Sequence, residues 1–397
     1  METNPMIPLT VEHIEPQQRY LRVAIVTETW PPEVNGVALT LSKLVHQLGQ
    51  RNHTIQLIRP KQNKYDTVTE HNGNSELLLR GIPIPKYPQL RLGLPSKKAL
   101  LKVWSARRPD VVHIATEGPL SWSALQAAQI LRLPVTSDFR TNFHSYCQHY
   151  GVGWLTKPII AYLRKFHNRT VFTMVPTKAL KDQLEAIGFK NLKVVARGVD
   201  TQLFHPERRS NALRMSWGAS SDTTVLLSVG RLAAEKNLDL TLQSYRSIRA
   251  TGRAVKLVIV GDGPLRAATE MKCPEAVYAG MCNHQHLAQI YASADLLLFP
   301  SLTETFGNVT LESLASGTPV LAFDSAAASE FITHGKNGWL VPVEDQHQFI
   351  DNAMTITDDK ARLIDARNFT RPSVEHLGWN EIAVQVESIF QRAIDTA

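Results

Sequence analysis

The stretch that most narrows what this chain can fold into is residues 296–323, LLLFPSLTETFGNVTLESLASGTPVLAF. Its apolar start, 296–299, runs into Pro300 and Ser301, which predicts a buried strand that stops there. A polar loop follows, then a short helix beginning near Val309 with Asn308 as its N-cap. Gly317 is placed to stop that helix, and Pro319 lies just beyond it. The next apolar run, 319–323, reads as a second buried strand. A strand–loop–helix–strand unit of this kind builds a parallel sheet.

Two glutamates frame the loop, Glu304 and Glu312. Glu304 falls at the carboxyl end of a strand, where open α/β sheets bind ligands. Glu312 falls in the first turn or so of the helix, near free backbone N–H groups that favour phosphate. One carboxylate can accept hydrogen bonds from sugar hydroxyls and the other from a ribose. On spacing alone, Glu312 can equally complement the helix dipole while Glu304 is solvated.

The wider stretch resembles the signature of retaining glycosyltransferases of family 4, which share the two-domain GT-B architecture. The paired glutamates, Phe306-Gly307 after the first, and Ala-Ser-Gly-Thr-Pro-Val at 315–320 carry the resemblance. It implies a catalytic role for Glu304 and substrate contacts for Phe306, Gly307, Asn308, Val309 and Glu312.

Upstream, a strand at 225–229 leads into Gly230-Arg231-Leu232-Ala233-Ala234-Glu235-Lys236-Asn237, with a helix from about Leu238. Two cations beside a helix start can neutralise the developing charge of a diphosphate leaving group, or can simply be solvated. The family's similar Gly-Arg-Leu-x-x-x-Lys-Asn implies the catalytic role for Arg231 and Lys236. The strand at 256–260 ends in Gly261-Asp262-Gly263-Pro264, a phosphate loop or a plain turn, since the spacing is not Gly-x-Gly-x-x-Gly. Gly280 and Met281 precede a helix from about Asn283. Similar segments of the family hold the nucleotide base through main-chain groups, which leaves base identity illegible. Gly261, Gly280 and Met281 join the substrate-binding candidates.

In the first half, a strand at 21–26 (LRVAIV) enters a loop with Pro31, Pro32, Asn35 and Gly36, then an amphipathic helix. Gly36 lets the backbone approach a ligand at a helix N-terminus, or belongs to an ordinary connection. Family 4 has a similar glycine that approaches the donor. Strands at 55–58, 77–79, 111–114 and 134–136 alternate with helical segments, the pattern of a doubly wound sheet. Residues 137–150 follow, polar and aromatic, with Asp138, Arg140, Asn142 and His144 at alternating positions. Many family members carry a histidine here that contacts the donor sugar. In this chain Arg140 stands at that position, and His144 does not inherit the role. Arg140 can orient a donor phosphate or an anionic acceptor. His144 is a catalytic candidate or a core-edge histidine, and Asn142 a substrate-binding candidate.

A strand at 174–177 precedes Gly198-Val199-Asp200 and Phe204-His205-Pro206, similar to the domain junction of family 4. The expected fold class is therefore α/β, with GT-B architecture and two Rossmann-like doubly wound domains facing a cleft. The expected parts are a leader at 1–20, an acceptor-side domain at 21–198, a nucleotide-sugar domain at 199–372, and a helical segment at 373–397 crossing back.

Residues 1–198 hold 26 Lys/Arg against 13 Asp/Glu, a net +13, while the rest holds 17 against 23, a net −6. A basic half points to an anionic partner. Two segments, 86–108 and 154–169, mix Lys and Arg with Leu, Ile, Tyr and Trp. Residues 96–107 among them read as a basic amphipathic helix, suited to a membrane surface or to a solvated face of the sheet. No apolar run reaches the ~18 residues of a spanning helix. The leader lacks the apolar core of a signal peptide. Cys147, Cys273 and Cys282 form no Cys-x-x-Cys pair, which fits a reducing compartment, so the expected location is the cytoplasm, at or near the membrane.

The expected activity is transfer of a hexose from a nucleotide-sugar (GDP-mannose or a UDP-sugar) to an acceptor hydroxyl, a membrane lipid or glycolipid. The resemblance is to the lipid-directed branch, and it implies no metal or other cofactor; the sequence contains no Asp-x-Asp. The alternatives are transfer to a soluble saccharide and non-enzymatic binding of acidic polymers by the basic half. Sugar-nucleotide 2-epimerases share the fold but are disfavoured by the Glu304–Glu312 signature. No nucleic-acid motif is recognisable, so a nucleic-acid partner is not expected.

Overall fold

The structure, a computed structural model, describes residues 19–33, 36–63, 65–68, 74–84, 87–140 and 156–397. Residues 1–18 of the expected leader at 1–20, together with Asn35, Lys86, Asn142, His144, Cys147 and Trp154, lie outside the described residues.

The first half supplies strands β1 (Arg22–Val26), β2 (Thr54–Pro60), β3 (Ser75–Leu79), β4 (Gly81–Ile84), β5 (Tyr87–Gly93), β6 (Val111–Ile114), β7 (Val135–Asp138), β8 (Phe172–Val175) and β9 (Leu192–Val194). Seven of these pair in the parallel order β3-β2-β1-β6-β7-β8-β9, while β4 and β5 form an antiparallel hairpin. The second half supplies β10 (Thr224–Val229), β11 (Val255–Val260), β12 (Val277–Gly280), β13 (Leu296–Phe299), β14 (Val320–Phe323) and β15 (Gly338–Val341), ordered β12-β11-β10-β13-β14-β15, all parallel. Strands such as β6 and β13 are buried along their whole length, because helices cover both faces of each sheet. This is the GT-B fold.

Several local expectations shift. The strand placed at 174–177 is β8, ending at Val175 before Pro176, whose missing N–H cannot extend a ladder. The strand placed at 134–136 runs on to Asp138. Residues 87–93, expected to lead into the basic helix, pair instead as β5, and the helix is Lys97–Ala106. Asn308 is not the N-cap of the central helix: Gly307 is, in the left-handed region at φ +90°, and the helix spans Asn308–Ala315. A glycine supplies that φ without the cost a Cβ would bring.

The C-terminal helix, Trp379–Thr396, lies on the first half's helix Gly36–Gln50. It buries Ile382, Val386 and Phe390, and Arg51 Nε donates to Glu387 at 2.7 Å. At the junction, Val199 N–H donates to the Leu377 carbonyl at 2.9 Å, and Lys43 pairs with Asp200 across the two halves at 3.5 Å.

Candidate active site

Each sheet reverses its strand order once, between β1 and β6 in the first and between β10 and β13 in the second. Crevices beyond the carboxyl ends of strands at such reversals are where open α/β sheets bind ligands. Arg231 and Lys236 follow β10 and Glu304 follows β13, so all three stand at the second reversal. Gly36 opens its helix at the end of the loop after β1, at the first.

The loops of the second reversal are tied together by their own backbones. Leu302 N–H donates to the Glu235 carbonyl at 2.9 Å, and Ser301 Oγ lies 3.2 Å from the same oxygen. Leu232 N–H donates to the Asp262 carbonyl and Gly261 N–H to the Gly280 carbonyl, each at 2.9 Å. Gly261 has φ +122°, and a Cβ there would run into the Gly230 carbonyl. Its glycine identity is thus fixed by the close approach of two loops.

This stitching places Lys236 Nζ in an ion pair with Glu304 Oε1, which also accepts from Ser301 Oγ at 2.9 Å. Lys236 lies over the Phe299 ring, 5.4 Å from its centroid. Arg231 is exposed and has no ion-pair partner among the described residues. Phe306 is buried, while Gly307, Asn308 and Val309 are half-buried at the mouth of the helix. Met281 is exposed, beside Gly280.

Glu312 sits in the second turn of its helix, further along than expected, and accepts a hydrogen bond from the Tyr291 hydroxyl at 3.0 Å. Burial pushes its carboxyl up to about 7, against the lowering effect of that bond. Glu312 and Asn308 line a hollow whose other walls are Lys43, Asp200, His284 and Trp379, where the two halves meet. A second hollow between the halves is lined by Thr177 and Gln183 on one side and by Thr303, Glu304 and Thr305 on the other.

On the first domain's wall, Arg140 is buried and donates through Nε to Asp138 Oδ2 at 2.7 Å. His113 Nε2 reaches the same oxygen at 3.2 Å. Burial opposes ionisation of Asp138, but Arg140, His113 and Arg197 hold its carboxyl well below the usual range. Reading the sequence missed Arg197, Tyr291 and Ser301. Arg197 had a visible signal, a cation closing an apolar strand just before Gly198. The other two contribute single hydroxyls, which leave no pattern in a sequence. Among the described residues no group of three or more His, Cys, Asp or Glu is placed to hold a metal ion.

A cleft between two Rossmann-like domains, with cations and paired glutamates on its second wall, defines a GT-B sugar-transfer enzyme. The model of "Glycosyltransferase Family 4" matches residues 34–203 and that of "Glycosyl transferases group 1" residues 223–359. A GDP-mannose-dependent alpha-mannosyltransferase of Mycobacterium tuberculosis is 34% identical over 345 residues, 86% of this chain and 89% of that one. The sulfoquinovosyl transferase SQD2 of Arabidopsis thaliana is 27% identical, over 84% of this chain and 68% of that one. The solved sucrose-phosphate synthase of Thermosynechococcus elongatus superposes with a TM-score of 0.75 at 17% identity, covering 95% of this chain and all of that one. The chain belongs to glycosyltransferase family 4 and is a nucleotide-sugar-dependent hexosyltransferase.

Proposed function

We propose that this enzyme transfers mannose from GDP-mannose, with retention, to a hydroxyl of a membrane lipid or glycolipid, and that it does so without a metal ion. The observation that carries this is the pairing of Lys236 with Glu304 beside Arg231, which has no ion-pair partner among the described residues, at the sheet reversal. When donor enters, Arg231 and Lys236 meet the diphosphate as its charge develops, and Glu304 is released to accept hydrogen bonds from the sugar. Glu312, next to Asn308, takes the ribose hydroxyls. The mannosyltransferase relative favours GDP-mannose over a UDP-sugar, and the basic first half favours an acceptor at an anionic surface. The same basic half supports a peripheral enzyme held at the cytoplasmic face of the membrane; no helix among the described residues is long and apolar enough to cross a membrane.

The test is transfer from labelled GDP-mannose, and separately from labelled UDP-sugars, into lipid extract with chelator present. Label from GDP-mannose should partition into the organic phase, with the α configuration of the donor kept in the product. Label that stays aqueous would turn the reading toward a soluble acceptor, and strict dependence on added metal would overturn the cationic-pair mechanism.

A further inference from the structure

A second cationic cluster faces the cleft from the first domain, and the donor mechanism does not use it. Arg140 follows β7 and Arg197 follows β9; each is only 8% exposed. The charge between them is out of balance. Asp138 accepts from Arg140 at 2.7 Å, and His113, whose Nδ1 is 3.0 Å from Thr136 Oγ1, reaches it with Nε2. The Thr136 hydroxyl can donate to Nδ1, which leaves Nε2–H to donate to the carboxylate. One anion is left against two guanidiniums.

Arg197 is the uncompensated one. Among the described residues it makes no ion pair within 4 Å, and its Nε is buried without a hydrogen-bond partner. Its guanidinium carbon stands 5.9 Å from the Phe306 ring centroid, across the cleft. Burial and the like charge of Arg140 pull its pKa down to about 9, with Asp138 offsetting part of this. Both arginines line one hollow with Thr40, Leu44, Met174 and Trp379, and apart from Asp138 every other described lining residue is uncharged. A buried unpaired charge is costly unless something of opposite sign completes the site.

We propose that Arg140 and Arg197 form a phosphate subsite, and that the phosphate belongs to the acceptor. The planar fork of a guanidinium matches phosphate oxygens in pairs, which a lone ammonium does not. The assignment to the acceptor rests on the transferase reading: the donor diphosphate is met by Arg231 and Lys236 on the opposite wall, and these arginines belong to the other sheet. The phosphate could be the diester of a lipid headgroup or the monoester of a soluble phosphosugar.

Thermal unfolding of the full chain in low-salt, phosphate-free buffer tests this without turnover, so it fails separately from the transferase reading. Inorganic phosphate should raise the midpoint saturably, by mass action, in the Arg231→Ala/Lys236→Ala variant and in wild type already saturated with GDP. Arg197→Met should abolish that shift yet be no less stable than its parent without phosphate, because it removes an uncompensated buried charge. If that variant does not fold, Arg197→Lys keeps the charge without the fork and should weaken phosphate binding several-fold. Glycerophosphoglycerol and glucose 6-phosphate then distinguish a lipid headgroup from a soluble phosphosugar, the tighter marking the source. The proposal is overturned by no phosphate shift, by an equal shift in Arg197→Met or Arg197→Lys, or by a shift that GDP abolishes.

Discussion

Lys236 and Glu304, 68 residues apart in sequence, form an ion pair in which the two side chains are only 19% and 15% exposed. The pair joins the loop after β10 to the loop after β13; in the proposed mechanism, donor entry exchanges a protein partner for a substrate partner at both groups. The two residues are thus coupled, while Arg231 has no ion-pair partner among the described residues.

That asymmetry separates two variants. Both Arg231→Ala and Lys236→Ala should lower transfer at least ~10²-fold, as expected for groups that stabilise developing charge. Only Lys236→Ala leaves Glu304 half-buried without its cation, which should cost roughly 1–3 kcal/mol of stability. Kinetics with paired melting curves check this. Near-wild-type turnover in both variants removes the phosphate assignment, and an unchanged midpoint in Lys236→Ala removes the structural role of the pair.

Glu312 gives the site a pH dependence. Its folded pKa of about 7 lies above the ordinary carboxylate value of 4.5, and Glu28 is raised to the same level by burial, which outweighs the Gly93 and Leu120 N–H groups it accepts from. Acids raised in this way contribute stability fully below about 4.5 and lose it as pH rises through about 7. Their share of the apo-protein's stability should therefore fall between about pH 4.5 and 7. Nucleotide affinity should move the other way, since ribose hydroxyls donate to the ionised carboxylate. Glu312→Gln should flatten the pH profile and weaken GDP binding ~10-fold or more. Calorimetry across this range decides it: affinity that falls with rising pH, or a profile unchanged in the variant, dismisses the ribose role.

The sequence made the second domain more legible than the first, for a physical reason. Around β10 and β13, loops must pass close to one another, so glycines and short charged motifs are forced into fixed places, as at Gly261 and Gly307. The first domain's wall is built from Asp138, Arg140, His113 and Arg197, contributed by three strands, β6, β7 and β9, or their ends. Their association depends on strand order, which spacing along the chain does not display. The hairpin of β4 and β5 went unread because Pro83 and Pro88 look like loop residues, though edge hairpins tolerate proline.

Closure of the cleft is the next expectation. The junction at residues 198–200 is held by the Val199–Leu377 hydrogen bond, Gly198 packed on Trp379, and the Lys43–Asp200 pair. Hinges of a few residues at element ends commonly carry domain closure around a ligand. Saturating GDP should reduce the radius of gyration seen by small-angle scattering. An unchanged radius with binding confirmed would mean that the domains are already at their working distance.

The membrane expectation needs its energetics revised. Lys97, Lys98, Lys102, Arg107 and Arg108 are all exposed along and just beyond the helix Lys97–Ala106. The apolar side of that helix is not available to lipid, because Leu100 and Trp104 are fully buried and Trp104 Nε1 donates to Gln56 at 3.0 Å. Among the residues whose side chains are described, the exposed large apolar groups of these segments are few, such as Ile82 and, on the helix Thr156–His167, Tyr162. Attachment through this face is therefore chiefly electrostatic. Basic residues near an anionic leaflet contribute about 1 kcal/mol each, and the attraction decays over a Debye length of ~8 Å at physiological salt. Arg108 already donates to the Arg132 carbonyl at 3.0 Å, so it should matter less than the three lysines. The protein should sediment with vesicles of phosphatidylglycerol and phosphatidylcholine, far less with phosphatidylcholine alone, and should come off at ~0.5 M salt, where screening is stronger. Changing the five cations to Gln should release it while GDP binding stays intact, since none of them lines the cleft hollows. A wild-type protein that ignores anionic vesicles, or a five-fold variant that still binds them, would leave this face as ordinary solvated surface and turn attention to a soluble acceptor.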